Sequence, residues 1–346
     1  MSRPPLVSII IVNYKDYTYI YQCLNSLART TYPNIEIIVV DNDSDAAMLT
    51  KLKDEYSQVN FFPLKENLNY AEGNNYGIKK SKGDFIVLLN NDTTVQSNWI
   101  EPLVKEALIN PKSFYQPIIC SLDNPDIVFS LGGTVNPLGI AFLIGTEKHI
   151  SQVHLPKEKT EVFYCAGACV FTSREILNEL GGLDSNYWTF YEDVNLGWKG
   201  RLRGYHSFIV PDSTIYHKWG GTHGRKLSQK KLYLLERGRV SSILRNFSIR
   251  SIVILSLPIS VFELVVIFYL IPKHMASVKI RASLDVLRNL KLIIKERKKI
   301  QMSRTKDDAF VSRRMSLSIE HPLVGRIPSM FQGLLIQISK ILIHIL

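Results

Sequence analysis

The sequence predicts an α/β fold with a buried parallel sheet, followed by a basic helical region. Three observations carry this. Two β-branched runs flank a segment of helical period, an apolar run stops abruptly at three polar residues, and the charge changes sign late in the chain. Val7 to Val12 is the first β-branched run and reads as a buried strand. Asp16 is placed to cap a helix in which Ile20, Cys23, Leu24 and Leu27 share one face. Pro33 closes that segment, and Ile35 to Val40 is the second strand, stopping at Asp41-Asn42-Asp43-Ser44. Strand, helix and strand with short links make a right-handed βαβ unit.

The run Phe85 to Leu89, entered by Gly83-Asp84, has no alternation, which suits a strand buried on both faces of a parallel sheet. It ends in Asn90-Asn91-Asp92, at the strand end where open α/β sheets meet their ligands. Asp92 there either meets a metal or phosphate, or caps a helix beginning near Asn98. Asp41, at the end of the second strand, either bonds a nucleoside or closes an Asx-type turn. Asn13-Tyr14-Lys15 replaces the glycine fingerprint of a dinucleotide fold after the first strand, which argues against a nicotinamide or flavin enzyme. A polar loop, Glu66 to Asn75, runs into a helix through Tyr76 to Lys80.

The chain has 346 residues, 46% of them hydrophobic and 21% charged, enough for one large or two modest domains. Residues 1–224 carry 19 Lys/Arg against 24 Asp/Glu, a net of −5, while residues 225–346 carry 23 against 7, a net of +16. The boundary is expected near Gly224, giving domains 1–224 and 225–346, the second with an anionic partner. Cys23, Cys120, Cys165 and Cys169 lack zinc-finger spacing and read as reduced, buried thiols of a cytosolic chain. The apolar run Leu6 to Val12 is too short for a signal peptide, so the expectation is that this part is not secreted.

Val7 to Tyr14, Val39-Val40-Asp41-Asn42, Glu66 to Gly77 and Leu88 to Thr93 resemble successive blocks of the family 2 glycosyltransferases, most closely the rhamnosyltransferase-like branch. The resemblance continues at Ala166 to Phe171, Gly181-Gly182-Leu183-Asp184, Phe190 to Leu196, Gly204-Tyr205, and His217 with Gly220-Gly221, covering roughly residues 6–224. It implies the GT-A fold and inverting sugar transfer from a nucleoside diphosphate. By the same resemblance Asn13, Tyr14, Asp41, Asn67, Asn74 and Asn91 would contact the donor, and Asp92, with Asn90 and His217, would hold Mg2+ or Mn2+. The family's usual Asp-x-Asp has Asn90 at its first position here, which removes one acidic ligand; hard, oxygen-ligated metals suit such a site. A lone His after a strand is otherwise most simply structural.

Inverting transfer needs a base for the acceptor hydroxyl, and a carboxylate at a helix start supplies one. The resemblance makes Asp193 that base and Glu192 an acceptor-binding or supporting group. Without it, two acids opening the apolar helix of Val194, Leu196 and Trp198 would simply face the helix dipole. Two departures, Asn195 for an acid and Lys199 near the usual Arg, are placed to alter acceptor contacts. The Gln-x-x-Arg-Trp motif of processive synthases is missing, which favours single-sugar addition. Residues 115–165 show no clear period; Leu131-Gly132-Gly133 and Pro137-Leu138-Gly139 suggest turns between short strands.

After a basic helix from Lys230 to Arg245, Ile252 to Ile271 is a stretch of 20 residues, 16 of them apolar, long enough to cross a bilayer. Pro258, Glu263 and basic residues at both ends (Arg245, Arg250, Lys273, Lys279) favour a re-entrant or in-plane helical hairpin over a single span. Ile280, Leu284, Leu287, Leu290 and Ile294 form an apolar stripe on a basic helix, as on an anionic lipid surface. Phe331, Leu334, Leu335, Ile338, Leu342 and Ile345 form another, for lipid, the catalytic domain or a second subunit, and Lys295 to Arg314 reads as polar and mobile. The tail lacks aromatics among its Lys/Arg, so nucleic acid is not expected.

The sequence thus predicts a metal-dependent inverting glycosyltransferase at the cytoplasmic face of the cell membrane, monotopic or single-anchored. Its donor is a nucleoside-diphosphate sugar, dTDP- or UDP-linked and rhamnose-like, and its acceptor a lipid-linked saccharide in cell-surface glycan synthesis. A homo-oligomer is compatible. The alternatives are transfer to a polyprenyl phosphate, or a membrane protein that binds nucleotide sugar without turnover.

Overall fold

The computed structural model describes residues 3–43, 45–218, 227–317 and 329–346. Ser44, Gly220, Gly221, Gly224 and Arg225 lie outside them, as do the side chains of Phe331, Leu334, Leu335 and Ile338. The chain begins with strand β1 (Val7–Asn13), helix α1 (Tyr17–Leu27), β2 (Ile35–Asn42), α2 (Ala46–Glu55), β3 (Val59–Leu64), α3 (Asn69–Lys80) and β4 (Phe85–Asn90). The Asp16 carboxylate caps α1 by accepting from Tyr19 N at 3.1 Å, and Ile20, Cys23, Leu24 and Leu27 are buried along its inner side. β1 pairs parallel with β2 and β4, and β2 with β3, so the order is β3-β2-β1-β4.

The next elements are β5 (Thr93–Val95), α4 (Ile100–Ile109), β6 (Ser113–Ser121), β7 (Val128–Ser130), β8 (Gly133–Val135), β9 (Ala141–Leu143), β10 (Thr160–Val162) and β11 (Cys169–Ser173). Then come α5 (Arg174–Leu180), α6 (Glu192–Leu202) and β12 (His206–His217). The sheet departs from the all-parallel expectation: β11 runs antiparallel between β4 and β6, and β10 antiparallel on β12, giving a mixed sheet. An antiparallel neighbour still covers β4 on its second edge, so the sequence pattern of a doubly buried strand is unchanged. Asp92 caps no helix; α4 begins eight residues later without a side-chain cap.

α3 lies on the sheet through its glycines. A Cβ on Gly77 would come within 2.4 Å of Ile10 Cγ2 and 3.3 Å of Val40 Cγ2. Gly77→Ala is therefore expected to destabilise the chain by about 1–2 kcal/mol, since overpacking outweighs the gain in helix propensity. A denaturant midpoint at or above the parent's would refute that close approach.

Helices α7 (Gln229–Asn246), α8 (Ile249–Leu270), α9 (Ala276–Arg288), α10 (Leu290–Ser303), α11 (Asp308–Ser312) and α12 (Ser329–Ile345) complete the chain. They share a core with the residues before them: Tyr164, Val194 and Trp198 pack with Ile243, Phe247, Leu255, Ile300 and Leu342. Leu342 of the expected C-terminal stripe is thus turned inward, whereas Ile345 is exposed. The expected hairpin over 252–271 is instead one continuous helix that carries Pro258 in its interior. The region Lys295 to Arg314, expected to be mobile, is helical and tied down. Asp308 accepts from Ser248 N at 2.8 Å and pairs with Arg304, and Thr305 N donates to Leu202 O.

Candidate active site

The parallel strands β1, β2 and β4 end on one side of the sheet, where the chain order reverses across β1. A cleft of about 630 Å³ opens there. Its floor and walls include Tyr14, Asn42, Asn67, Asn69, Asn90, Asn91, Asp92 and His217, with Gly167, Glu192 and Asp193 on the other side.

Asp92 and His217 meet because β5 pairs antiparallel with β12, Thr93 opposite His217. His217 Nε2 lies 3.0 Å from Asp92 Oδ1 and 3.2 Å from Asn90 Nδ2. The contact with Asp92 is close in distance but lacks hydrogen-bond alignment, so Asp92 Oδ1 is left buried without a donor. Phe129 packs against the imidazole with ring centroids 4.4 Å apart. A carboxylate oxygen and an imidazole nitrogen facing each other in a cleft wall, beside a side-chain amide, form a donor set that fits Mg2+ or Mn2+. No cluster of three or more His, Cys, Asp and Glu occurs among the described residues.

The catalytic candidates sit at the start of α6, reached through two consecutive bulky residues at positive φ, Phe190 (65°) and Tyr191 (68°). Such backbone conformations cost energy and persist where surrounding packing fixes them. Here the Tyr191 ring is buried and its hydroxyl donates to Gly139 O at 3.0 Å. Asp193 Oδ2 accepts from Gly167 N at 2.8 Å and Oδ1 from Val194 N at 2.7 Å. The next residue, Ala168, accepts from Asn90 N at 3.0 Å, so one short segment joins the two walls of the cleft.

Glu192 is the deeper acid, 6% exposed, with Oε2 buried and unpartnered. Burial first, and then the neighbouring Asp193 charge, push its carboxyl well above the ordinary range. Burial also raises Asp193, but the amides of Gly167 and Val194 oppose this by stabilising its charge. The pair therefore keeps its proton on Glu192 and its charge on Asp193. Between the ordinary glutamate value of 4.5 and the raised one, the folded chain holds a proton that the unfolded chain has released. Stability contributed by this group falls as pH rises through that window. Glu192→Gln is expected to raise the thermal midpoint near neutral pH and leave it unchanged below the window. Equal pH slopes for parent and variant would contradict this.

The other expected site residues divide. Tyr14, Asn67, Asn90, Asn91, Asp92, Glu192, Asp193 and His217 line the cleft. Asn13, Asp41 and Asn74 do not. Asn13 Nδ2 donates to Asp41 Oδ1 at 3.0 Å, Tyr17 donates to Asp41, and Asn91 Nδ2 donates to Asn13 at 2.8 Å, so these polar groups brace the floor from beneath. Asn74 is fully buried and donates to Tyr70 O within its own helix. Asn195 and Lys199 also face away from the cleft. Asn195 accepts from Asn246 of α7, and Lys199 donates to Leu180 O and Gly182 O, burial bringing its ammonium down to about 8. Sequence reasoning missed Asn42, which lines the cleft and whose amide links Asn67 (2.8 Å) to Leu68 N. Its position directly after Asp41 was the available signal. It also missed Trp188, 49% exposed at the rim, and Lys230 and Lys231 from the start of α7.

Comparison with known proteins bears on the family and the fold. The family model described as Glycosyl transferase family 2 matches residues 8–181, half of the chain. The uncharacterized protein y4gI of Sinorhizobium fredii is 27% identical over 244 residues, covering 67% of this chain and 26% of that protein. The O-antigen biosynthesis protein RfbC of Myxococcus xanthus is 29% identical over 223 residues, covering 62% of this chain and 17% of that protein. This chain thus spans about a quarter or less of the length of these curated relatives. The crystal structure of GalNAc-T7 with UDP, GalNAc and Mn2+ superposes with a TM-score of 0.58 at 19% identity, over 71% of this chain and 48% of that one. That likeness is one of fold, and the mixed sheet is GT-A-like as expected. The chain belongs to glycosyl transferase family 2.

Proposed function

We propose that the chain is a metal-dependent, inverting glycosyltransferase that moves a sugar from a nucleoside diphosphate to a lipid-linked saccharide in cell-surface glycan synthesis. The observation that carries this is the joining of Asp193 to the Asn90–Asp92–His217 wall through Gly167 and Ala168 in one cleft. In this reading Tyr14, Asn42, Asn67 and Asn69 form the nucleoside end, and Asn90, Asn91, Asp92 and His217 the diphosphate end. Asp193 takes the proton of the acceptor hydroxyl as its oxygen attacks the anomeric carbon and the bond to the diphosphate breaks. Asp92 and His217 would hold a divalent cation, which would supply positive charge against the leaving diphosphate. Trp188 offers an aromatic face at the rim to the acceptor sugar.

A rhamnose-like dTDP- or UDP-linked donor follows from the resemblance of the motif blocks, and RfbC, named for O-antigen biosynthesis, is a relative compatible with it. A membrane-held acceptor at the cytoplasmic face follows from the exposed apolar helix α8 and the net +16 of residues 225–346. Mn2+- or Mg2+-dependent hydrolysis across UDP-, dTDP- and GDP-sugars tests the reading. Consumption of one donor supports it and names that donor. Nucleotide binding without turnover, even with membrane extract as acceptor, replaces it with a nucleotide-sugar-binding role.

A further inference from the structure

α8 has two unlike sides. Ser251, Leu255 and Leu270 are buried along one, Ile252, Ile259 and Phe262 pack on the core that contains Trp198 and Phe247, and Val266 packs beside Leu232 and Val278. This side is joined to the protein from its first turn to its last. Along the other, Val253 (66%), Leu257 (73%), Val261 (52%), Leu264 (57%) and Phe268 (69%) are exposed at helical spacing. So long an unpartnered apolar line on a folded chain marks an interaction surface.

Glu263, near the middle of the helix, faces inward. It pairs with Arg239 of α7 and Lys279 of α9, and Glu236 completes the cluster at 2.9 Å from Arg239 and 2.7 Å from Lys279. Burial alone would raise the Glu236 carboxyl, but Arg239 and Lys279 outweigh it and bring it down to about 2. The outer side of α8 therefore carries no charge along its length, while its ends carry exposed Arg250 and Lys273. Exposed Arg281, Arg288, Lys291 and Lys295 follow on α9 and α10, interspersed with exposed Ile280, Leu284, Leu287 and Ile294.

We propose that α8 lies in the plane of one anionic leaflet and does not cross the bilayer. Its outer line enters the acyl boundary, and the basic residues at its ends meet lipid phosphates. Crossing would carry Arg239 of α7, Lys279 of α9 and the rest of the four-charge cluster into hydrocarbon, because they are bound to Glu263 on the inner side of α8. Positive charge at both ends opposes crossing as well. The proposal rests on the membrane-face reading above but not on the transferase chemistry, because its test needs neither donor nor metal.

The full chain is mixed with vesicles of phosphatidylcholine alone or with phosphatidylglycerol. Co-sedimentation is expected only with the anionic vesicles, and Leu257→Asp with Phe268→Asp is expected to weaken it about tenfold or more while leaving the far-UV spectrum unchanged. Single cysteines at Ile249 and Ile271 are then labelled with an impermeant maleimide in inside-out membranes from expressing cells. The four native cysteines are buried and leave the background low. Equal labelling at both positions is the expected result. Protection of one end until detergent is added would overturn the proposal in favour of a span. Failure to bind anionic vesicles would overturn it too, with concentration-dependent self-association pointing to a second copy on this face.

Discussion

Asp193→Asn is expected to lower turnover by about 10³-fold, within the usual range for loss of a general base, while nucleotide binding persists. The amide keeps an oxygen for one of the two donors, Gly167 N and Val194 N, and loses the acceptor for the other, so persistent nucleotide binding is the control that the start of α6 is still in place. It also loses the negative charge and the ability to accept a proton. In the parent, activity is expected to rise with pH as Asp193 ionises, over a range above the ordinary aspartate value because burial raises this carboxyl. Glu192→Gln keeps a neutral group beside Asp193 and removes the neighbouring acid. Because Glu192 is already protonated while Asp193 ionises, the acid limb is expected to stay near the parent's, with much smaller loss of turnover than in Asp193→Asn. Rate measurements across pH check both, and an Asp193→Asn enzyme with near-parental turnover would remove Asp193 from the chemistry.

Asp92→Ala is expected to cost about 10²–10³-fold in turnover, the magnitude typical of a lost electrostatic contact to developing charge. It removes the only carboxylate that faces His217 in the cleft wall among the described residues. Direct Mn2+ titration by spin resonance separates this from misfolding, since bound metal should fall with the fold intact. Asn90→Asp provides the opposite test. It places an acid beside His217, where the amide nitrogen now lies at 3.2 Å, and is expected to tighten Mn2+. Metal affinity unmoved by both substitutions would place the ion elsewhere.

Local physics made much of the molecule legible. The unbroken apolar runs of β1 and β4, the capped period of α1 and the turn glycines around residues 131–139 each carry their structure within a few residues. The polar stops at Asn13, Asp41 and Asn90 likewise located the ligand side of the sheet, because strand ends in a βαβ unit fall together whatever packs around them. Which side chains open into the cleft was not legible. Asn74 and Asn195 share residue types with cleft-lining neighbours, yet helix rotation turns them into the core, where Asn74 Nδ2 donates to Tyr70 O and Asn195 Oδ1 accepts from Asn246.

The sequence by itself therefore determined the βαβ core, the acid pair at a helix start, the charge division of the chain and the apolar character of residues 252–271. Tertiary structure alone decided the rest. Asn90 and His217 stand 127 residues apart and meet through the β5–β12 pairing. Glu263 reads as an interruption of a membrane segment until α7 and α9 place Arg239 and Lys279 against it. Periodicity reports which side of an element is apolar; only packing between distant elements determines what that side, or a charge within it, faces.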